Sequence, residues 1–299
     1  MNRLFCLGTL LSGVLFFSAC STVKKEGPSV PAPAAKPRLA AAKNNLKHKK
    51  SKATELPPVL GGLVQSDSWV IYKDKQEEEF KGNVSYDNGS YRFRSDYALS
   101  QRTLQLFTAS GHVFLQQNEP DGTVYEAHAD HARFNYHTQK GTLSAKGKNR
   151  VMLYFRNNKQ QQATAYAQKV TFNLLEKVFV LEGQVYMERP TDTGLNTLQA
   201  QKVTFKQLED YALLEGNAKL SDGNRTLEAQ TILYDGQHNT SSASGERPLA
   251  YGKTEQGTFA IIADKVESDA QGNIVHLNGK VQGWMVSPQF NNEKINSSF

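Results

Sequence analysis

The sequence predicts an all-β fold, built as a solenoid-like stack of about seven two-strand repeats, and three observations predict it. Ala-Gln-Lys-Val-Thr-Phe occurs at 167–172 and again at 200–205, and Leu-Glu-Gly follows each copy at the same distance. Ala167 and Gly183 thus recur 33 positions later as Ala200 and Gly216. Looser copies of the phrase place glycines at Gly82, Gly111, Gly147, Gly245 and Gly279, so that seven units of 29 to 36 residues cover nearly all of 66–288. Apolar residues alternate within the units, the period of a half-buried strand, and helix signals are nearly absent. A repeat of this length marks a stack, because a two-strand unit has no core until neighbours cover it.

The first element is a targeting segment. Arg3 supplies a positive charge, an apolar run follows, and Ser18-Ala19 stand directly before Cys20. The run is too short for a typical membrane span. The arrangement resembles the lipobox of bacterial lipoproteins, with Phe17 where Leu is usual, and it implies cleavage after residue 19 and a lipid on Cys20. The other reading is an ordinary secretory signal with a chance cysteine. Cys6 lies inside the signal, so the mature body has no cysteine beyond the proposed anchor. Disulfides, thiolate metal sites and Cys nucleophiles are excluded together.

Residues 20–56 read as a disordered, lipidated linker rich in Pro, Ala and Lys, with too few large apolar residues to bury a core. Its r.m.s. reach is roughly 35 Å. Residues 21–53 hold nine Lys/Arg against Glu26, whereas 54–299 hold 25 basic and 28 acidic residues. The basic character of the chain therefore belongs to the leader. A nucleic-acid partner requires a basic body with interleaved aromatics, and none is expected.

The folded body is expected at 57–290, with a flexible tail at 291–299. In each unit one strand carries small residues, as in Ala163, Ala165 and Ala167, then slips phase by one so that Val170 and Phe172 face the same way. Such a slip marks a bulge or corner. The second strand alternates Phe179, Leu181, Val185 and Met187 around Gly183, where a bend or a close backbone approach is expected. Two facing sheets with alanines on one wall leave either a close-packed core or an apolar groove, and the pattern alone fits both. The candidate groove residues are Phe134, Leu143, Phe172, Phe179, Leu181, Val185, Phe205, Leu213 and Ile232. The stack has two ends with unpaired edges. Trp284, Met285 and Val286, just before Pro288, are the candidate edge contacts for strand addition by a partner.

Catalysis is not expected. His128 and His131 stand three apart on a strand and face opposite sides, so they do not share a metal ion. Lys169 and Lys202 sit at equal offsets, but Gln, Ala or similar residues occupy that place in other units. No nucleophile elbow, phosphate loop or zinc motif is present, and neither a metal nor a cofactor is implied.

The pattern Ala-x-x-Val-x-Phe…Leu-x-Gly-Asn-Val, together with Phe80–Tyr86 and Ala243–Val281, resembles the OstA-like domain of the periplasmic lipopolysaccharide-transport (Lpt) bridge proteins, over roughly 66–288. The resemblance implies a β-jellyroll open along one side, lipopolysaccharide as ligand, and edge-to-edge stacking on other jellyroll transport domains. It implies a periplasmic protein, here held to a membrane by its N-terminal lipid, and the sequence assigns that anchor to neither the inner nor the outer membrane. The chain departs from the family's pattern in its lipoprotein signal and long tether. The alternative is a structural or adhesive envelope lipoprotein with a packed interior that binds protein or glycan at its edges.

Overall fold

The structure, a computed structural model, describes residues 62–191, 194–238, 240–254, 257–269 and 275–286. The signal segment, Cys20, the linker, the first residues of the expected body and the tail at 291–299 lie outside the described residues.

Two short strands, β1 (Leu63–Gln65) and β2 (Ser68–Tyr72), precede four long ones: β3 (Glu77–Asp87), β4 (Tyr91–Gln101), β5 (Leu106–Asn118) and β6 (Val124–Asn135). Four short strands form the middle, β7 (Lys140–Ser144), β8 (Val151–Arg156), β9 (Gln162–Ala167) and β10 (Lys169–Asn173). Long strands resume with β11 (Val178–Thr191), β12 (Gly194–Lys206), β13 (Tyr211–Ser221) and β14 (Arg225–Asp235). Six short strands follow: β15 (Thr240–Ser244), β16 (Leu249–Thr254), β17 (Gly257–Ile262), β18 (Lys265–Asp269), β19 (Val275–Asn278) and β20 (Gln282–Val286). Every pairing is antiparallel, and apart from one short 3-10 turn at Gln207–Glu209 the described chain is strand, turn or loop.

Each long strand is bent once, and its two halves enter different layers. In β11, residues 178–182 pair with β10, while 186–188 pair with β9. Short strands do the same work in two pieces, as β9 and β10 do on either side of Gln168. Layer I contains β2, β7, β10, β15, β18 and β19, plus the halves of the long strands that pair with them. Layer II contains β1, β8, β9, β16, β17 and β20, plus the other halves. The bends align along one edge, so a single hydrogen-bonded ribbon is folded over into two facing layers.

The bends are where the repeat's glycines sit. Gly183 has φ +83° and Gln184 φ +48°, a left-handed pair that turns the strand while keeping Leu181 and Val185 on one face. A Cβ on Gly183 would lie 2.7 Å from Gln168 Cβ, so backbone and space both require glycine there. The same opposition of a bend glycine to a side chain 15 positions earlier recurs for Gly82 with Asp67, Gly111 with Asp96, Gly216 with Gln201, Gly245 with Gln230 and Gly279 with Asp264. Hydrogen bonds tie the column together. Asn83 Nδ2 donates to Asp67 Oδ2 at 2.9 Å, and Lys146 N donates to Asp130 Oδ2 at 2.6 Å. The Asp264 N–H donates to Gly279 O at 3.0 Å. At Gly147 the corner runs from residue 145 to 150, four residues longer than the two-residue bends, and a Cβ on Gly147 would meet open space.

The expected alanines line the interior. Ala163, Ala165, Ala167, Ala200 and Ala263 are buried, and the first four are each in register with a larger neighbour, such as Leu153 or Met187 beside Ala165. The interior is closed in the middle of the stack, where Val151, Leu198, Val203 and Ala212 are fully buried. Towards both ends it loosens: Leu115, Tyr125 and Phe134 are half-buried near one end, and Leu227, Ala250 and Ile261 near the other.

Candidate functional site

Register alone assembles two continuous rows on the interior walls. In layer II the row runs Val64, Tyr86, Phe93, Leu115, Ala127, Leu153, Ala165, Met187, Leu198, Leu220, Leu227, Ala250, Ile261 and Gly283. It crosses every strand of that layer without a charge. In layer I the inward row furthest from the corner is aromatic: Phe107, Phe134, Phe172, Phe179, Phe205 and, past Ala212, Tyr234. Gly141 stands between Phe134 and Phe172. A Cβ there would come within 2.2 Å of Phe172 Cζ, because the ring lies over the glycine. Phe172 is therefore stacked between Phe134, at 6.1 Å between centroids, and Phe179, at 6.5 Å. The two walls touch where Phe93 meets Phe107 edge-on at 5.3 Å.

Eight of the nine groove residues expected from sequence fall on these inner faces. Leu143, Phe172, Phe179, Leu181, Val185, Phe205 and Ile232 are buried, and Phe134 is half-buried against them. Leu213 is the correction. It pairs with Thr204 and Leu233, whereas its neighbours Ala212 and Leu214 are the buried residues, so it faces outward. The 33-residue offset carries Leu181 onto Leu214, and the tandem leucines conceal that phase.

Polar side chains gather at the layer II margin. Of the seven buried polar or charged side chains, Gln117, Thr123, Arg189 and Asn196 lie there. Arg189 pairs in register with Asn196, and burial holds its guanidinium below the usual arginine range. The outer faces are charged and paired. Lys169 and Lys202 form cross-strand ion pairs with Glu182 (3.0 Å) and Glu215 (3.1 Å), a ladder that accounts for their equal offsets. His128 packs on Phe114 at 5.0 Å in layer II, and His131 lies past the corner, paired with Ser144 in layer I.

Among the described residues, both ends of the stack are bare. At one end β1 and β2 each pair there only with β3, and Leu63, Trp69 and Ile71 are exposed. At the other, β20 pairs only with β17 and exposes Trp284, Met285 and Val286.

This two-walled interior has a counterpart among known families. Residues 63–197 match the family model described as the LptA/(LptD N-terminal domain) lipopolysaccharide transport protein. Over those residues the chain is similar to that family. The chain's geometry continues beyond the match, since Gly216, Gly245 and Gly279 bend their strands as Gly82 and Gly111 do inside it. Among solved structures, the chain is similar to LptH, the LptA-homologous periplasmic component of the conserved lipopolysaccharide transport device from Pseudomonas aeruginosa. The identity is 13%, over 52% of this chain and 82% of that one, with a TM-score of 0.23. No curated protein matches. The fold given above rests on this chain's own strand pairings.

Two features of the site escaped the sequence reading. The Asp/Gln column opposite the bends carries a usable signal, an offset of 15 from six of the seven glycines. The aromatic row carries none, since it exists only in the register.

Proposed function

We propose that this chain is a periplasmic, lipid-anchored carrier that takes the acyl chains of lipopolysaccharide between its two walls and relays them along the stack as part of a transport bridge. The observation that carries the reading is the uncharged layer II row from Val64 to Gly283, which runs the whole length of the stack. Each methylene withdrawn from water contributes about 0.8 kcal/mol. A wall of even hydrophobicity lets a chain shift along it without a deep trap. The half-open ends admit a chain first, and the packed middle takes it as the layers part at the open margin. No bond is made or broken in such a relay, so the role is not enzymatic. The OstA-like match supports the family of partners and the periplasmic location; the lipobox-like Ser18-Ala19-Cys20 supports the anchor.

Strand direction supports head-to-tail stacking on other jellyroll domains. In layer I, β19 runs toward the corner and β2 away from it; in layer II, β20 runs away and β1 toward. Docking the β19/β20 end of one domain on the β1/β2 end of the next therefore keeps both ladders antiparallel and the corner continuous. Trp284, Met285 and Val286 would lie in that joint.

The closed middle favours a second reading, a structural or adhesive envelope protein that binds only at its ends. Native mass spectrometry of residues 56–299, purified from a lipopolysaccharide-producing host, separates the two. Co-purifying lipid A species support the carrier, whereas a clean apo mass that also refuses added lipopolysaccharide supports the edge binder.

A further inference from the structure

Two buried polar atoms of layer II, Tyr86 Oη and Gln117 Oε1, have no hydrogen-bond partner among the described residues, and the second stands beside the apolar row. Gln117 lies on the inward face of β5, two residues beyond Leu115 of the apolar row, and is 5% exposed. Its register neighbours are Tyr91 and Tyr125. The side-chain Nε2 donates to the Glu119 carboxylate, which fixes the amide's orientation, because the reverse would set two oxygens against each other. Oε1 is left buried without a hydrogen-bond partner. A buried lone acceptor is destabilising, since it has lost its water without gaining a partner, and an apolar residue would avoid that cost.

We infer that Gln117 Oε1 is a selectivity station for an acyl chain that carries a hydrogen-bond donor, a hydroxyl or an amide N–H, close to its polar end. The inference rests on the carrier reading. The surrounding polarity sets the direction of the ligand. Thr123, Arg189 and Asn196 are buried along the same margin, whereas the row one step deeper is uncharged. An amphiphile lying across layer II thus puts its hydrocarbon on the Leu115 row and its polar end at the margin. Gln117 stands about 7 Å along the strand from Leu115, so the donor it meets belongs to the first few atoms of the chain. A plain acyl chain leaves Oε1 unsatisfied and also excludes water from it. A donor-bearing chain closes the bond.

The test compares tetradecanoic acid with its β-hydroxy derivative, which differs by one hydroxyl, on the delipidated mature chain by isothermal titration calorimetry. Wild type is expected to bind the hydroxylated acid roughly three- to ten-fold more tightly, the value of one added hydrogen bond. In Gln117→Met the preference falls to about one while the plain acid binds as well or better. The empty variant gains thermal stability, since the lone acceptor is gone. Should Gln117→Met fold poorly, Gln117→Leu reads the same ratio. Equal binding of both acids by wild type overturns the inference, and so does a preference that survives in both variants. If wild type binds neither acid, the carrier reading fails as well, and that outcome is distinct from the other two.

Discussion

Replacing Gly141 by Ala tests the aromatic row at its tightest point. Gly141 is not left-handed, so alanine adds no backbone strain, and the whole effect arises from its new methyl group. That carbon would lie 2.2, 2.5 and 2.9 Å from Phe172 Cζ, Cε2 and Cε1. The ring has little freedom to retreat, because Phe134 and Phe179 stack on its two sides and it is 6% exposed. Overpacking of this kind costs about 1–3 kcal/mol. For a folded body of this size, a 2 kcal/mol loss lowers the Tm by about 4–8 °C. Leucine has none of the three clashing atoms, so Phe172→Leu removes the conflict at its own cost of about 1 kcal/mol. The double variant is therefore expected to be more stable than the sum of the two losses by at least about 1 kcal/mol. Urea unfolding of wild type, both single variants and the double variant measures that coupling. Losses that add to within about 0.5 kcal/mol would refute the claim that the ring lies over the glycine.

Three further outcomes are expected. Gly183→Ala should lose more stability than Gly89→Ala: both positions are left-handed, at φ +83° and +84°, but only Gly183 faces a side chain. The Gly89 variant should lose about 1–2 kcal/mol, and equal urea midpoints would remove the Gln168 contact from the account. The Lys219 hydrogen bond, with that of Tyr251, holds the Glu228 carboxyl below its ordinary value against opposing desolvation. A depressed carboxyl stabilises above its unfolded pKa and loses that contribution as pH falls through the folded one, so the urea gap between wild type and Lys219→Met should be open at pH 7 and narrow near pH 3. Trp284→Lys with Ile71→Lys charges both bare ends and should abolish concentration-dependent self-association in sedimentation velocity, with stability held to about 0.5 kcal/mol; association that persists would move the joint off these edges.

The repeat made the bends legible. Gly183 and Gly216 announce themselves through the doubled hexapeptide, and the phase slip at Gln168 is visible in the alternation of Ala163 to Phe172 before any coordinate is known. The interior walls were legible strand by strand for the same reason, since period-2 alternation assigns a face. Leu213 and Leu214 show where this fails: two adjacent leucines satisfy either phase, and only the pairing of Phe205 with Ala212 chooses between them. Relations between strands were not legible at all. Nothing in the local sequence tells Phe107 that it shares a depth with Tyr234, because that row is set by seven successive registers and by a glycine that lets one ring cross. Gln117 was hidden differently. It reads as an ordinary polar residue near a turn, and its isolation depends on Glu119 capturing the amide nitrogen.

The pairing scheme also sets how far along the chain any part must look for support. Among the described residues no ladder joins positions further apart than Lys140 and Asn173, which spans 33 positions, one repeat. Contacts so local favour fast folding, and a stack whose units touch only their neighbours folds from any nucleus outward. A chain that emerges N-terminus first can lay down each rung as it appears, with no strand waiting for a distant partner. Removing one whole repeat brings two equivalent surfaces together, so the stack rejoins, one rung shorter, with its corner intact.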